Sequence, residues 1–275
     1  MKKLSLAVLI AVTFLMTCPA TMVQAQAAPS AKLYELRIYT ASPGRLGDLE
    51  TVMSAEGVGA LGRHGIQNIF DGTVLEGAPI DGPDASNMLV CILAHDNRAA
   101  ADKSWAAFDS DPAWKSAWAA AEKSGPLLAK QPMSLFMNAT DFSPALEAPT
   151  AAGAPTRIFE LRKYNTGPDR LQNTVDEFQQ GLAAILVKVG MNPVIYWTAD
   201  DRSSFVYLIA HKDRETARAS WTAFRPEFGP FIAAFNAKQA AAAPPAPAGA
   251  SPTPPLRRTP DDNRFLVPTS FSPRR

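Results

Sequence analysis

The chain has 275 residues, of which 27 are basic and 26 acidic, so its formal net charge is +1. Because basic and acidic residues nearly balance, the composition does not indicate a basic surface for binding nucleic acid or an anionic membrane. The sequence holds only two cysteines, which excludes a disulfide framework, and 47% of its residues are hydrophobic, so stability must come from packed cores.

The N-terminal segment has the pattern of a secretory signal peptide. Lys2 and Lys3 precede an apolar run from Leu4 to Met16, and small residues follow. A basic start, a short apolar centre and an A-x-A site predict removal of residues 1–27 and a periplasmic or secreted protein. No later apolar run is long enough to span a bilayer, so we expect the mature chain to be soluble.

The two cysteines have different expected fates. Cys18 lies in the signal peptide, where a lipoprotein anchor is the alternative interpretation, although Thr17 suits the acylation motif poorly. Cys91 remains in the mature chain within an apolar run, which predicts an inert, buried thiol.

The mature sequence opens with an alternating strand. Tyr34, Leu36 and Ile38 point to one side, and Glu35, Arg37 and Tyr39 point to the other. After Pro43-Gly44, apolar residues recur at helical spacing from Leu46 to Met53. We therefore expect this helix to pack on the face of Leu36, leaving the face of Glu35 turned away from the helices.

The following segments complete one α+β unit. Residues 65–74 are predicted as a second strand, 75–87 as turns, 88–94 as a continuously apolar third strand, and 134–142 as a fourth strand. Between the last two strands, Asp96 or Asn97 can cap one helix, and Asp111-Pro112 can start another. The order β-α-β-β-α-β is that of a ferredoxin-like unit, with strands one and three adjacent.

The same pattern then occurs a second time. Four short segments recur in the same order, which indicates an internal repeat. They are Leu33–Tyr39 and Ile158–Tyr164, Leu93–His95 and Ile209–His211, Ser104–Phe108 and Ser220–Phe224, and Phe142–Pro144 and Phe271–Pro273.

The repeat defines the expected domain boundaries. We predict a first unit over residues 32–144, an Ala/Pro-rich linker over 145–156 and a second unit over 157–275. An Ala/Pro-rich insertion at about 239–260 lacks the apolar content to pack and is predicted to be a surface loop. Because the third strand is apolar on both sides in each copy, the two sheets should cover each other as an intramolecular, pseudo-dimeric α/β barrel.

At this point the sequence resembles the NIPSNAP family of the dimeric α/β-barrel superfamily. The resemblance rests on the opening Tyr34–Tyr39 segment, on the strand ending Ala94-His95 and on the Ser104–Phe108 and Asp111–Trp114 helical segments, and it extends over both units. It implies the barrel fold. Because the family has no agreed activity, whereas the superfamily includes haem-degrading and cofactor-free monooxygenases, the resemblance leaves the function open.

Six strand residues are the candidate ligand-binding set. They are Glu35, Arg37, Tyr39, Glu160, Arg162 and Tyr164. If the strands face as expected, these side chains line the barrel interior, where buried charges must be paired. They could therefore form structural ion pairs or bind a ligand.

Two histidines are the catalytic candidates. His95 and His211 occupy matching positions at the ends of the third strands. A histidine there can bind haem iron or move a proton, although a repeated strand-end residue is also typical of a structural cap. Trp105 and Trp221, at one helical position in each copy, favour a core role over a stacking platform.

Two functions follow as hypotheses. The first is a binding protein that holds a small apolar molecule or contacts a protein partner, without a metal or an obligatory cofactor. The alternative is a monooxygenase acting on haem or on a phenolic substrate. Motifs for metalloproteases, redox dithiols, nucleotide loops and serine hydrolases are missing from the sequence.

Overall fold

The computed structural model describes residues 32–77, 85–242 and 262–275. The predicted signal peptide, with Cys18, lies outside these residues. So does the predicted insertion from residue 243 onward, whereas its first residues, 239–242, complete a helix.

The first repeat has the predicted order of strands and helices. Its strands are β1 (Leu33–Thr40), β2 (Gln67–Gly77), β3 (Met88–His95) and β4 (Met133–Ala139), and its helices are α1 (Leu46–Val52), α2 (Val58–Arg63), α3 (Arg98–Ser110) and α4 (Pro112–Ala121). A π-helical turn over Met53–Gly57 joins α1 to α2. The Asn97 side chain accepts a hydrogen bond from the Ala100 amide and so caps α3 as predicted.

The second repeat follows the same order with longer helical segments. Its strands are β5 (Ile158–Asn165), β6 (Asn192–Ala199), β7 (Ser204–His211) and β8 (Asp262–Pro268), and its helices are α5 (Pro168–Glu177), α6 (Ala183–Lys188) and α7 (Arg214–Ala242). Residues 140–157, which include the predicted linker, contain neither helix nor strand.

The eight strands form one closed antiparallel barrel in the order β1-β3-β2-β8-β5-β7-β6-β4. Each repeat contributes four strands with its first and third strands in the middle, as predicted. The repeats join at two seams, where β2 pairs with β8 and β4 pairs with β6. The closed α+β barrel therefore confirms the expected pseudo-dimeric fold.

Side chains from both repeats fill the barrel interior. Leu36 and Ile38 of β1 pack in one cluster with Phe159, Leu161 and Trp197 of the other repeat. Trp197, Phe70 and Phe159 are fully buried there. This shared core holds the repeats together, because each sheet removes the other's apolar surface from water.

The helices cover the outside of the barrel, and here the expected orientation of β1 and β5 is wrong. Tyr39 packs with Leu49, Met53 and Leu93 in a separate cluster beneath the helices, so the face of Glu35, Arg37 and Tyr39 is turned toward α1–α4. In the second repeat, the face of Glu160, Arg162 and Tyr164 likewise meets the helices.

The physical reason for this correction is that both faces of a strand are covered in a closed barrel. Alternation shows that two faces differ, but not which one points inward. The charged face lies outward, where the helices supply hydrogen-bond donors such as the Trp105 indole. The barrel interior is mainly apolar, with the fully buried Arg264 as an exception.

Among the helices of the described residues, none combines the length and hydrophobicity needed to cross a bilayer.

Candidate functional site

A buried carboxylate is the centre of the polar face of the first repeat. Glu35 is fully buried and accepts hydrogen bonds from His95 Nε2 at 3.0 Å, Trp105 Nε1 at 2.8 Å, Ser134 Oγ at 2.7 Å and Arg37 Nη1 at 3.1 Å. Both of its oxygens are therefore satisfied by donors from three strands and one helix. Burial alone would raise the pKa of Glu35, but the hydrogen bonds from His95 and Ser134 and the charge of Arg37 outweigh it and hold the pKa below its usual range.

This network fixes the position of Arg37. Its guanidinium carbon lies 4.0 Å from the centroid of the Trp105 ring, and its Nε donates to the Tyr39 hydroxyl at 2.9 Å. Burial favours the neutral form of Arg37, yet Tyr39 and Glu35 outweigh it and raise the pKa, so the side chain stays charged. Nη2 forms no hydrogen bond with the described residues, and 20% of the side chain remains exposed.

Arg37 and Tyr39 lie at the floor of a cleft between the sheet and α4. We call it the aromatic cleft. Its volume is about 730 Å³, and it is lined by Arg37, Tyr39, Phe108, Trp114, Trp118 and Leu128, with Asp109, Lys115, Glu122 and Lys130 among the charged residues around them. Asp111 sets the position of α4 by accepting hydrogen bonds from the Ala113 and Trp114 amides at its N-terminus.

Two hydrogen-bond donors of the residues at the floor of the aromatic cleft are not used within the described protein. One is Nη2 of Arg37. The other is the hydroxyl of Tyr39, whose oxygen accepts from Arg37 and whose hydrogen has no acceptor among the described residues. Burial raises the pKa of Tyr39 far above its usual value, so the phenol stays protonated near neutral pH. A charged donor beside a neutral donor is suited to a carboxylate or another anionic oxygen.

The second repeat contains the same buried constellation. Glu160 accepts from His211 Nε2 at 3.0 Å, Trp221 Nε1 at 2.7 Å and Arg162 Nη1 at 2.8 Å. Arg162 lies 4.3 Å from the Trp221 ring centroid. The hydroxyl of Tyr164, the match of Tyr39, interacts with that of Tyr207 at 3.2 Å. The two repeats therefore bury the same types of polar side chain and connect them by similar hydrogen bonds.

The space above the arginine is not repeated. In the second repeat the cavity beside Arg162 has a volume of only about 110 Å³, and Tyr207, Phe224 and Phe228 contribute to its walls. Tyr207 pairs with Arg162 across the sheet, where Cys91 pairs with Arg37 in the first repeat. A phenol ring thus occupies the position of a thiol, and only 10% of the Arg162 side chain is exposed.

The two histidines are buried beside the glutamates of the networks, and their role toward haem stays a prediction. His95 is 1% exposed and His211 is 2% exposed, and each Nε2 is bonded to a buried glutamate. The Nδ1 atoms of both histidines are buried and form no hydrogen bond with the described residues. Within the described residues, no group of three or more His, Cys, Asp or Glu side chains could hold a metal ion.

The structure thus brings the six strand candidates and both histidines together, but as two networks on the outer face of the barrel. Their suggested roles in ligand binding or catalysis stay predictions. The tryptophans do more than fill the core, because each indole both donates to a glutamate and stacks on an arginine. Cys91 is buried as expected, and burial raises its pKa well above its usual value.

Sequence reasoning missed three contributors to the site. Ser134 lies on a strand 99 positions from the carboxylate that it contacts, and Trp114 and Trp118 read only as a helical apolar stripe. One signal was available in the sequence. Cys91 and Tyr207 are a small and a large residue at matched positions of otherwise similar strands, which indicates a difference in packing between the two repeats.

Comparisons with known proteins find a family match over the first repeat. The NIPSNAP family model matches residues 34–144. A NIPSNAP family protein of unknown function from Agrobacterium tumefaciens strain C58 is 20% identical, with 42% of this chain and 96% of that chain covered and a TM-score of 0.34. No curated protein matches the sequence.

Two solved structures cover more of the chain at lower identity. A provisionally assigned monooxygenase from Lactobacillus acidophilus NCFM is 8% identical, with 87% of this chain and 95% of that chain covered and a TM-score of 0.47. A variant of chlorite dismutase from Candidatus Nitrospira defluvii is 9% identical, with 72% and 84% covered and a TM-score of 0.44. Likenesses this distant assign no activity, and the NIPSNAP family model matches residues 34–144, which is the first repeat and less than half of the chain.

Proposed function

We propose that this is a small-molecule-binding protein and that its ligand occupies the aromatic cleft of the first repeat. The observation that carries the proposal is a pair of donors, Arg37 Nη2 and the Tyr39 hydroxyl, at the floor of a cleft walled by Trp114 and Trp118. A volume of about 730 Å³ suits a small organic ligand. The chemistry favours a planar, largely apolar molecule that carries one carboxylate or similar anionic oxygen.

The site differs in place from the one expected inside the barrel. Trp197, Phe70 and Phe159 are fully buried in the interior, so a ligand there would have to displace packed side chains. The aromatic cleft requires no such displacement, and its polar floor is already organised by Glu35, His95 and Trp105.

Binding is favoured over catalysis by the protonation states at the floor. A monooxygenase acting on a phenolic substrate needs a group that accepts the phenolic proton, and neither a charged guanidinium nor a phenol of strongly raised pKa can do so near neutral pH. Glu35 and His95 lie beneath these groups with their facing atoms already bonded to each other.

A titration with naphthalene-2-carboxylate tests the proposal, with tryptophan fluorescence as the readout. We expect quenching by naphthoate and a Kd at least about tenfold weaker for its methyl ester, because the ester loses the charge that Arg37 attracts. Tyr39→Phe removes one donor and should weaken naphthoate binding about three- to tenfold. Trp118→Ala removes a wall and should weaken it further.

The matched control is Tyr164→Phe, which removes the equivalent hydroxyl beside the smaller cavity of the second repeat. Its Kd should equal that of the wild type. Equal affinities for acid and ester, or equal losses in Tyr39→Phe and Tyr164→Phe, would contradict the assignment to the aromatic cleft.

A further inference from the structure

A second cavity lies where β5 begins and β7 ends, on the opposite repeat from the aromatic cleft. Its volume is about 560 Å³, and residues 147–157 form one side of it. We call it the linker cavity. His211, Lys212 and Thr216 contribute to the other side, and Arg157 and Arg275 also line it. Three of its lining residues therefore have basic side chains, against one acidic side chain, that of Glu147.

The first repeat shows what is unusual about this arrangement. There Lys32 and Asp96 lie one position beyond the Leu33–His95 pair and form an ion pair of 2.5 Å. In the second repeat the equivalent positions beyond the Ile158–His211 pair are Arg157 and Lys212. A cation has replaced the anion, so two like charges lie opposite each other at the end of an antiparallel pair, which is destabilising unless an anion compensates.

Neighbouring groups compensate this charge only in part. Arg157 lies 3.5 Å from Glu147, whose side chain is 63% exposed, and its Nε donates to the backbone oxygen of Arg275 at 3.3 Å. Lys212 forms no ion pair with any described residue. Among the other acids nearby, Asp213 accepts a hydrogen bond from the Thr216 amide at 2.7 Å, and its pKa is lowered mainly by Thr216 and also by the charge of Lys212, whereas Glu160 is bonded to His211.

We propose that the linker cavity binds the phosphate group of a small phosphorylated molecule. A dianionic group between Arg157 and Lys212 replaces their repulsion with two charge-assisted contacts, and guanidinium is well suited to phosphate oxygens. The cavity is larger than a phosphate ion, so the rest of the molecule occupies the space along residues 147–157.

Inorganic phosphate alone is a sufficient probe. We expect phosphate to raise the Tm of the full-length protein by about 3–5 °C over sodium chloride of the same ionic strength once its concentration greatly exceeds Kd. Lys212→Asp restores the ion pair of the first repeat, so the Tm in chloride should be unchanged or higher, while the Kd for phosphate rises at least about tenfold. Glu147→Gln frees Arg157 and should lower the Kd.

Lys103→Asp is the matched control, because it changes the net charge equally at an exposed position of α3 in the first repeat. It should bind phosphate like the wild type. A Tm that is the same in phosphate and chloride, or equal losses of affinity in Lys103→Asp and Lys212→Asp, would overturn the proposal. Naphthoate binding uses none of these residues, so the two sites can succeed or fail separately.

Discussion

Opposite the strand arginine, the first repeat has Cys91 and the second has Tyr207, and this is one of the positions at which two similar sites differ. Both repeats retain the glutamate, arginine, tyrosine, histidine and tryptophan of the buried network. The cavity beside the arginine is about 730 Å³ in one repeat and about 110 Å³ in the other. The buried network therefore organises each sheet under its helices in both repeats, whereas the space above it differs, and our proposal places a ligand only where that space is large.

The largest expected effect comes from removing the shared carboxylate. Glu35→Ala leaves Arg37, His95 and Trp105 without their common acceptor, and we expect a loss of about 3–5 kcal/mol in the free energy of unfolding. Glu160→Ala should cost a similar amount or slightly less, since Glu160 has three side-chain donors and Glu35 has four. Urea denaturation of both variants measures this. A loss below about 1 kcal/mol in either would show that the network is not structural.

Exchanging the differing residues sharpens the comparison. Tyr207→Cys should enlarge the cavity beside Arg162 and cost about 2–4 kcal/mol, because a buried ring is removed without replacement. Cys91→Tyr should cost about 1–3 kcal/mol through overpacking and should abolish naphthoate binding as the ring enters the aromatic cleft. Urea denaturation and fluorescence titration of both variants supply the two numbers. Full binding by Cys91→Tyr would show that position 91 does not control access.

The smallest expected effect is a pH dependence confined to the first repeat. Asp71 pairs with Cys91 at the position matched by Tyr196, and burial raises its pKa to about 6, despite the hydrogen bond from Asn68. Because the folded state binds this proton more tightly than the unfolded state, the stabilisation is complete below about pH 4 and is lost as the pH rises through about 6.

Asp71→Asn is the variant that isolates this effect. It should unfold with a free energy about 1–3 kcal/mol higher than that of the wild type at pH 8, and the advantage should shrink toward pH 4. Parallel urea titrations at both pH values measure it. An advantage that is constant with pH would exclude Asp71 as the titrating group.

Much of the fold could be predicted because its signals are local. The alternation around Leu36, the apolar run of β3 and the capping residues Asn97 and Asp111 act within a few residues of the elements that they define. The residues of the candidate site could be predicted from the sequence, but their location on the outer face of the barrel could not. Glu35 and Ser134 come into contact only because their strands pair. No sequence feature of the strands at the two seams predicts which strand each one pairs with.

Alone, the amino-acid sequence determined that two copies of one β-α-β-β-α-β unit exist and that each carries a glutamate, an arginine and a histidine at fixed positions. Repetition and hydrophobic period are properties of the chain itself. Only the tertiary structure decided that these charges face the helices, that the barrel interior is packed, and that one repeat has an open cleft. Those outcomes depend on which side chains meet across the sheet and beneath the helices, and such contacts form only once both units close around a common core.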